Sequence, residues 1–359
     1  VPIPSQPSAP VIGPGPSRRG ILAGLAALAG AGPARAAEAS AAFRTEWFRF
    51  QTRFLLPEGR VIDTGNGGVS HSEGQGWGLL FALAADDQAG FERIFGWTRR
   101  VLRRPGDNLH AWRFRPDAAL PVEDPNNATD GDICIAWALL DAGARWGLPD
   151  YTLVGTAIAR DILRLLVRRV GAYSVLLPGA RGFELADGTI INPSYYVFPA
   201  FGALARAVPD PAWVRVAADG LVLLRACRFG RWGLPPDWVV LGRADGGLTL
   251  PANWPPRFSF DAVRVPLYLS WAGLGGEPAL ERVRHFWTDP AHLAMPAWAD
   301  LTTDAIAPYA ASPGVTAVAR LAGAQRPAGP MAQRTEPSVS DAPDYYSAAL
   351  SMLVRMASR

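Results

Sequence analysis

The sequence predicts an all-α domain of paired helices, and three observations predict it. Apolar residues recur at three- and four-residue spacing along most of the chain after residue 40. The segments so marked are joined by loops rich in Gly, Pro, Asn and Asp. No composition break or linker divides that stretch. With 49% apolar residues and 13 Trp in 359 residues, a sizeable core is available, and 19% charged residues argues against a disordered chain.

Residues 1–16 are rich in Pro, Gly and Ser, have no apolar period and are expected to be unstructured. Ser17-Arg18-Arg19-Gly20 then leads into the apolar run Ile21 to Ala31, and Ala34-Arg35-Ala36 offers small residues for cleavage. These are the three parts of a secretory signal of the twin-arginine type. The division expected is a signal segment over 1–36 and a single folded domain over 37–359, released to the periplasm or outside. The apolar run is too short to span a bilayer and no later stretch reaches ~20 unbroken apolar residues. Stable membrane insertion is not expected.

The formal charge of +3 comes from the address: of 35 basic residues, all Arg, three lie in 1–36, leaving 32 against 32 acidic ones. No Arg cluster with interleaved aromatics stands out, which argues against nucleic acid as a partner. Cys134 sits in a helical, apolar stretch and reads as a buried free thiol rather than a partner of Cys227. No Cys/His spacing suggests zinc, and neither metal nor cofactor is expected.

Residues 151–170 show the helical signal most clearly. Val154, Ile158, Ile162 and Leu165 form one stripe, and Arg160, Arg164 and Arg168 another. Similar periods predict helices at about 41–56, 75–86, 89–103, 131–146, 211–227, 261–273, 278–288 and 342–356, with weaker ones at 195–207 and between 297 and 323. Tyr173 to Leu177 and Phe183 to Leu185, with Asp187-Gly188 soon after, predict a short β-ribbon inserted between helices.

Three segments carry candidate chemistry. Val69 to Gly78 places Glu73 among glycines beside Trp77. Ala128 to Trp146 puts Asp130 and Asp132 on either side of Gly131 where a helix begins, with Thr129 or Asp130 placed to cap it. Arg257 to Pro266 sets Asp261 three residues before Arg264, on one face if a helix starts there. Apolar walls around Glu73 would keep it protonated, and the guanidinium would keep Asp261 ionised; acid/base pairs need such a split.

In these segments the chain resembles glycoside hydrolase family 8. Ala128 to Trp146 follows that family's signature, Val69 to Gly78 looks like its acid-bearing segment, and Arg257 to Pro266 is similar to its base-bearing one. Among relatives, the chain looks closest to periplasmic endoglucanases associated with bacterial cellulose synthesis. The resemblance implies an (α/α)6 toroid of about six helical hairpins and endo-cleavage of a β-1,4-glucan with inversion. It implies Glu73 as general acid, Asp261 as general base and Asp130 as the acid that distorts the neighbouring sugar. For substrate contact it implies either Tyr195 or Tyr196; Arg264, Trp77 and Asp132 are further candidates from their places in these segments, with support of the other acids or helix capping as the alternative for Asp132. It also suggests a partner in the cellulose-synthase secretion machinery. Many relatives carry Tyr where this chain has Phe260.

Flat rings suit the C–H faces of sugars, which makes Trp112 and Trp254, in predicted loops, the best platforms; Tyr345 and Tyr346 are candidates to line the cleft. Xylan or chitosan hydrolysis on the same fold is the first rival reading. A catalytically silent glucan-binding accessory and a polysaccharide lyase are the others.

Overall fold

The computed structural model describes the backbone of residues 33–324 and 336–359. The proposed signal segment lies outside the described residues apart from its last four, which begin the first helix. Among the described residues there are eleven helices: α1 Pro33–Phe54, α2 Ser72–Ala85, α3 Gln88–Val101, α4 Thr129–Trp146, α5 Pro149–Leu166, α6 Phe198–Ala207, α7 Pro211–Ala226, α8 Arg264–Trp271, α9 Pro278–Thr288, α10 Pro313–Leu321 and α11 Tyr345–Ala357. Pro opens α5, α7, α9 and α10, where its missing N–H costs nothing.

Consecutive helices pair as hairpins: α2 with α3, α4 with α5, α6 with α7, α8 with α9 and α10 with α11. The ring runs through α2, α4, α6 and α8, then to α11 both directly and through α10, and back to α2. This is the expected toroid. Its closure is stitched by α1, which packs on both α2 and α11. Phe50 and Phe54 of α1 meet the ring of Tyr345 at 6.1 and 6.0 Å. Glu46 accepts the Val339 N–H at 2.7 Å, and Arg53 donates to the Ala342 carbonyl at 2.8 Å. Phe43, Trp47, Phe50 and Phe54, spaced three or four apart, are all buried.

The strands are short. Ser70–His71 (β1) pairs antiparallel with Arg113–Phe114 (β2); Val167–Val170 (β3) with Tyr173–Leu176 (β4). Gly188–Ile191 (β5), Val239–Gly242 (β6) and Leu248–Thr249 (β7) make a three-stranded sheet, and Arg257–Phe258 (β8) pairs with Ala299–Asp300 (β9). The ribbon therefore differs from the expectation. The helix predicted to 170 stops at Leu166, because β3 pairs with Tyr173–Leu176 across a turn at Gly171, whose φ is +56°. Phe183 and Leu185 instead bond locally to Ile190 and Gly188.

Both cysteines are free and buried. Among the described residues no helix is long and apolar enough to cross a membrane.

Candidate active site

The candidate residues come from the N-terminal ends of ring helices, so they gather at one end of the toroid. Glu73 lies in the first turn of α2 and Asp130 in that of α4; Arg264 begins α8 and Tyr346 is the second residue of α11. Tyr195 ends the 3-10 turn Pro193–Tyr195 just before α6. Helix N-termini carry partial positive charge, which favours carboxylates there.

Two glycines let α2 and α4 cross closely enough to join the acids. A Cβ on Gly131 would stand 2.4 Å from Ser72 Oγ and 2.7 Å from the Glu73 nitrogen; one on Gly76 would stand 2.7 Å from Cys134 Cβ. The glycines around Glu73 thus serve helix packing. Gly74 similarly faces the Tyr345 ring and Gly78 faces Val61 and Ile94.

Arg264 is the hub. Its guanidinium donates through Nη1 to Glu73 and, at 2.7 Å, to Asp130, and through Nη2 to Asp261 at 2.5 Å. Asp261 sits in the turn before α8, not in the helix as predicted, and its carbonyl accepts the Arg264 N–H at 3.0 Å. The Arg264 and Asp130 side chains are 2% and 1% exposed, whereas Glu73 and Asp261 keep 20% and 29%. Two of the three carboxyls therefore open toward solvent and one does not.

Burial pushes the Glu73 carboxyl well above its ordinary value. Arg264 opposes this, and the Asp130 and Asp261 charges reinforce it. Glu73 also lies within hydrogen-bond reach of Asp130, a contact that needs a proton between the two. Asp261 is likewise raised by burial, with Arg264 opposing and Asp130 reinforcing. The guanidinium is shared by three acids, so it does not single out Asp261 for ionisation as the sequence reading supposes. What sets Glu73 apart is the larger rise, well above the ordinary carboxyl value. His71, beside Glu73, is pushed down to about 4 by burial and by the charge of Arg113, and is neutral at working pH.

Several residues expected at the substrate lie elsewhere. Trp77 is fully buried, with the Arg264 guanidinium 5.8 Å from its ring centre, and presents no face to a sugar. Arg264, 1% exposed, holds the acids instead of touching substrate. Asp132 is fully buried, accepting from the His110 N–H at 2.9 Å and the Asn127 amide at 3.0 Å; burial raises its carboxyl. The α4 cap is Ala128, and the Thr129 hydroxyl donates instead to the Leu177 carbonyl at 2.6 Å. Of the two tyrosines, Tyr196 is buried against Gly220, its hydroxyl accepting the Leu176 N–H at 3.3 Å. Tyr195 faces the site, its ring 5.6 Å from the Arg264 guanidinium. Tyr345 is buried against α1, while Tyr346 donates to the Phe260 carbonyl.

Trp112 is half-buried, stacked on His71 at 6.3 Å, with its indole N–H donated to Asp124 at 2.8 Å. Trp254 is half-buried too, and belongs to a larger aromatic group that the sequence reading missed. It stacks on Trp238 at 5.4 Å, which stacks on Phe183 at 5.9 Å and meets the Tyr195 edge at 6.1 Å. Asp237, also missed, is a fourth carboxyl beside Asp261. The signal available for both was Pro235-Pro236-Asp237-Trp238, an acid and an aromatic in a rigid loop.

Residues 26–359 match the family described as glycosyl hydrolases family 8. The chain belongs to that family, whose members are inverting glycosidases. It is 48% identical over 312 residues to a probable endoglucanase of Novacetimonas hansenii, covering 87% of this chain and 90% of that one. An endoglucanase of Cellulomonas uda is 42% identical over 276 residues, covering 77% and 76%. Among solved structures, the endo-beta-1,4-glucanase CMCax from Acetobacter xylinum superposes with a TM-score of 0.83 at 46% identity, covering 89% of this chain and 98% of that one.

Proposed function

We propose that this family 8 hydrolase cuts internal β-1,4-glucosidic bonds of a glucan by single displacement, with Glu73 as acid and Asp261 as base. The observation that carries the reading is the unequal exposure of three carboxyls on one guanidinium: Glu73 and Asp261 open outward, while Asp130 is sealed. The site offers one group that holds a proton and one placed to receive it. As water bonds to the anomeric carbon, Asp261 takes its proton. As the glycosidic C–O bond breaks, Glu73 gives its proton to the leaving oxygen. The product is the α-anomer, and catalysis requires the carboxyls to stand ~6.5–9.5 Å apart around the water.

Asp130, anchored by Arg264 at 2.7 Å and accepting its neighbour Gly131 N–H at 2.8 Å, is 1% exposed, so in this reading it holds Arg264 and Glu73 in place rather than gripping the sugar as the resemblance implies. Tyr195 flanks it. Trp254, backed by Trp238, and Trp112, backed by His71, offer half-buried rings to a glucan. Residues 1–36 export the chain to the periplasm or beyond, where nascent cellulose made by a synthase complex is the substrate within reach. Proton NMR of the first products from cellohexaose tests the chemistry: α-anomer signal appearing before mutarotation is expected, and β-anomer first would refute single displacement. Faster loss of viscosity from carboxymethyl-cellulose than from xylan or chitosan tests the substrate.

A further inference from the structure

The turn that carries Asp261 is held from outside the turn, and what holds it has no part in the mechanism above. Asp237, in the loop before β6 and 6% exposed, reaches under the turn. Its Oδ1 accepts the Ser259 N–H at 2.9 Å and the Ala262 N–H at 2.7 Å, and its Oδ2 meets the Ser259 hydroxyl. Its own backbone N–H donates to the Arg257 carbonyl at 2.7 Å, two residues before Ser259. One side chain thus grips the chain on both sides of Asp261.

We propose that Asp237 is the positioning residue of the catalytic base, fixing the Ser259–Ala262 turn so that the Asp261 carboxylate meets the attacking water. The inference rests on the reading of Asp261 as base. Two further contacts complete the clamp, Tyr346 on the Phe260 carbonyl and Arg264 on Asp261, but neither grips both flanks.

The hydrogen-bond pattern suits a neutral carboxylic acid: one oxygen takes both N–H donors, and the other faces only a hydroxyl. Burial and the charge of Asp261 push Asp237 up to about 7, against lowering by Ser259 and the two N–H groups. The Tyr346 phenol on α11 also feels the Asp237 charge. A neutral Asp237 can hold the turn without placing a second charge against the base. Because Trp238 follows it directly, the same dipeptide also links the aromatic group to the base.

The test compares Asp237→Ala, Asp237→Asn and Asp237→Glu on cellohexaose at pH 6. Asp237→Ala should lower kcat about 10²-fold, the loss expected when a catalytic group is misplaced by about 1 Å, with KM within about threefold of wild type. Asp237→Asn keeps an oxygen for both N–H groups and should restore kcat to within about tenfold of wild type. Asp237→Glu keeps the carboxyl but moves it by a methylene; kcat should fall at least about tenfold with melting temperature little changed. This variant decides the matter if Asp237→Ala does not fold. Folded Ala or Glu variants with wild-type kcat, or an Asn variant as slow as Ala, would overturn the proposal. If Asp261→Asn itself keeps its turnover, it is the assignment of the base that fails.

Discussion

Replacing Glu73 by Gln changes one atom and should separate activity from stability in opposite directions. The Gln carbonyl can accept from Arg264 Nη1 and its amide can donate to Asp130, reproducing the two contacts of a protonated Glu73. The fold therefore keeps its geometry while the transferable proton is gone. General acid catalysis is worth about 10²–10⁴-fold, so kcat on cellohexaose should fall by that factor, about 3–5 kcal/mol of barrier. A 2,4-dinitrophenyl cellobioside, whose leaving group needs no proton, should lose far less. The stability change has a sign that follows from linkage. The Glu73 carboxyl is raised above its ordinary 4.5 in the folded protein. Its contribution is fully present below about 4.5 and is lost as pH rises through the folded value. Glu73→Gln does not suffer that loss, so its melting temperature relative to wild type should climb between pH 5 and pH 8. A kcat within tenfold of wild type on cellohexaose, or a melting difference that shrinks as pH rises, would refute the reasoning.

Arg264→Met leaves three carboxyls without their cation, and breaking such a buried group costs about 3–5 kcal/mol; urea melts should show the deficit at pH 7.5 and a smaller one at pH 4.5, where protonation relieves the repulsion. Gly131→Ala forces α2 and α4 apart at a 2.4 Å contact, and kcat should drop about 10²-fold with KM nearly kept, as steady-state kinetics will read. Trp254→Ala removes an aromatic face worth about 0.5–1.5 kcal/mol, and should raise KM for cellohexaose by about two- to tenfold while changing KM for cellotriose less.

Helices were legible because each advertises itself within its own sequence. Ile158 and Ile162 are fully buried where the period puts them, and the three segments singled out for their acids bring Glu73, Asp130 and Asp261 to one guanidinium. What failed were features whose cause is distant in the chain. Arg164 and Arg168 continue a four-residue rhythm past Leu166, and nothing local says that Val167–Val170 will pair with Tyr173–Leu176. Asp237 looks like any turn aspartate after Pro-Pro, since its partners lie 22 and 25 residues onward. Trp77 and Trp254 are both tryptophans beside glycine- or proline-rich sequence. Only the ring of helices decides that one is walled in and the other reaches the open end. The sharing of one guanidinium by three acids was equally hidden, because residues 73, 130 and 264 meet only when the toroid closes.

That closure has a weak point with a definite address. The stitch between α1 and the chain leading into α11 rests on Glu46, Arg53 and the rings around Tyr345, and the next residue, Tyr346, reaches into the site to grip the turn bearing Asp261. The clasp of the ring and the calibration of the cutting edge are thus one joint. Fraying there would blunt the enzyme well before the rest of the toroid came apart, so loss of activity on heating should run ahead of loss of helix.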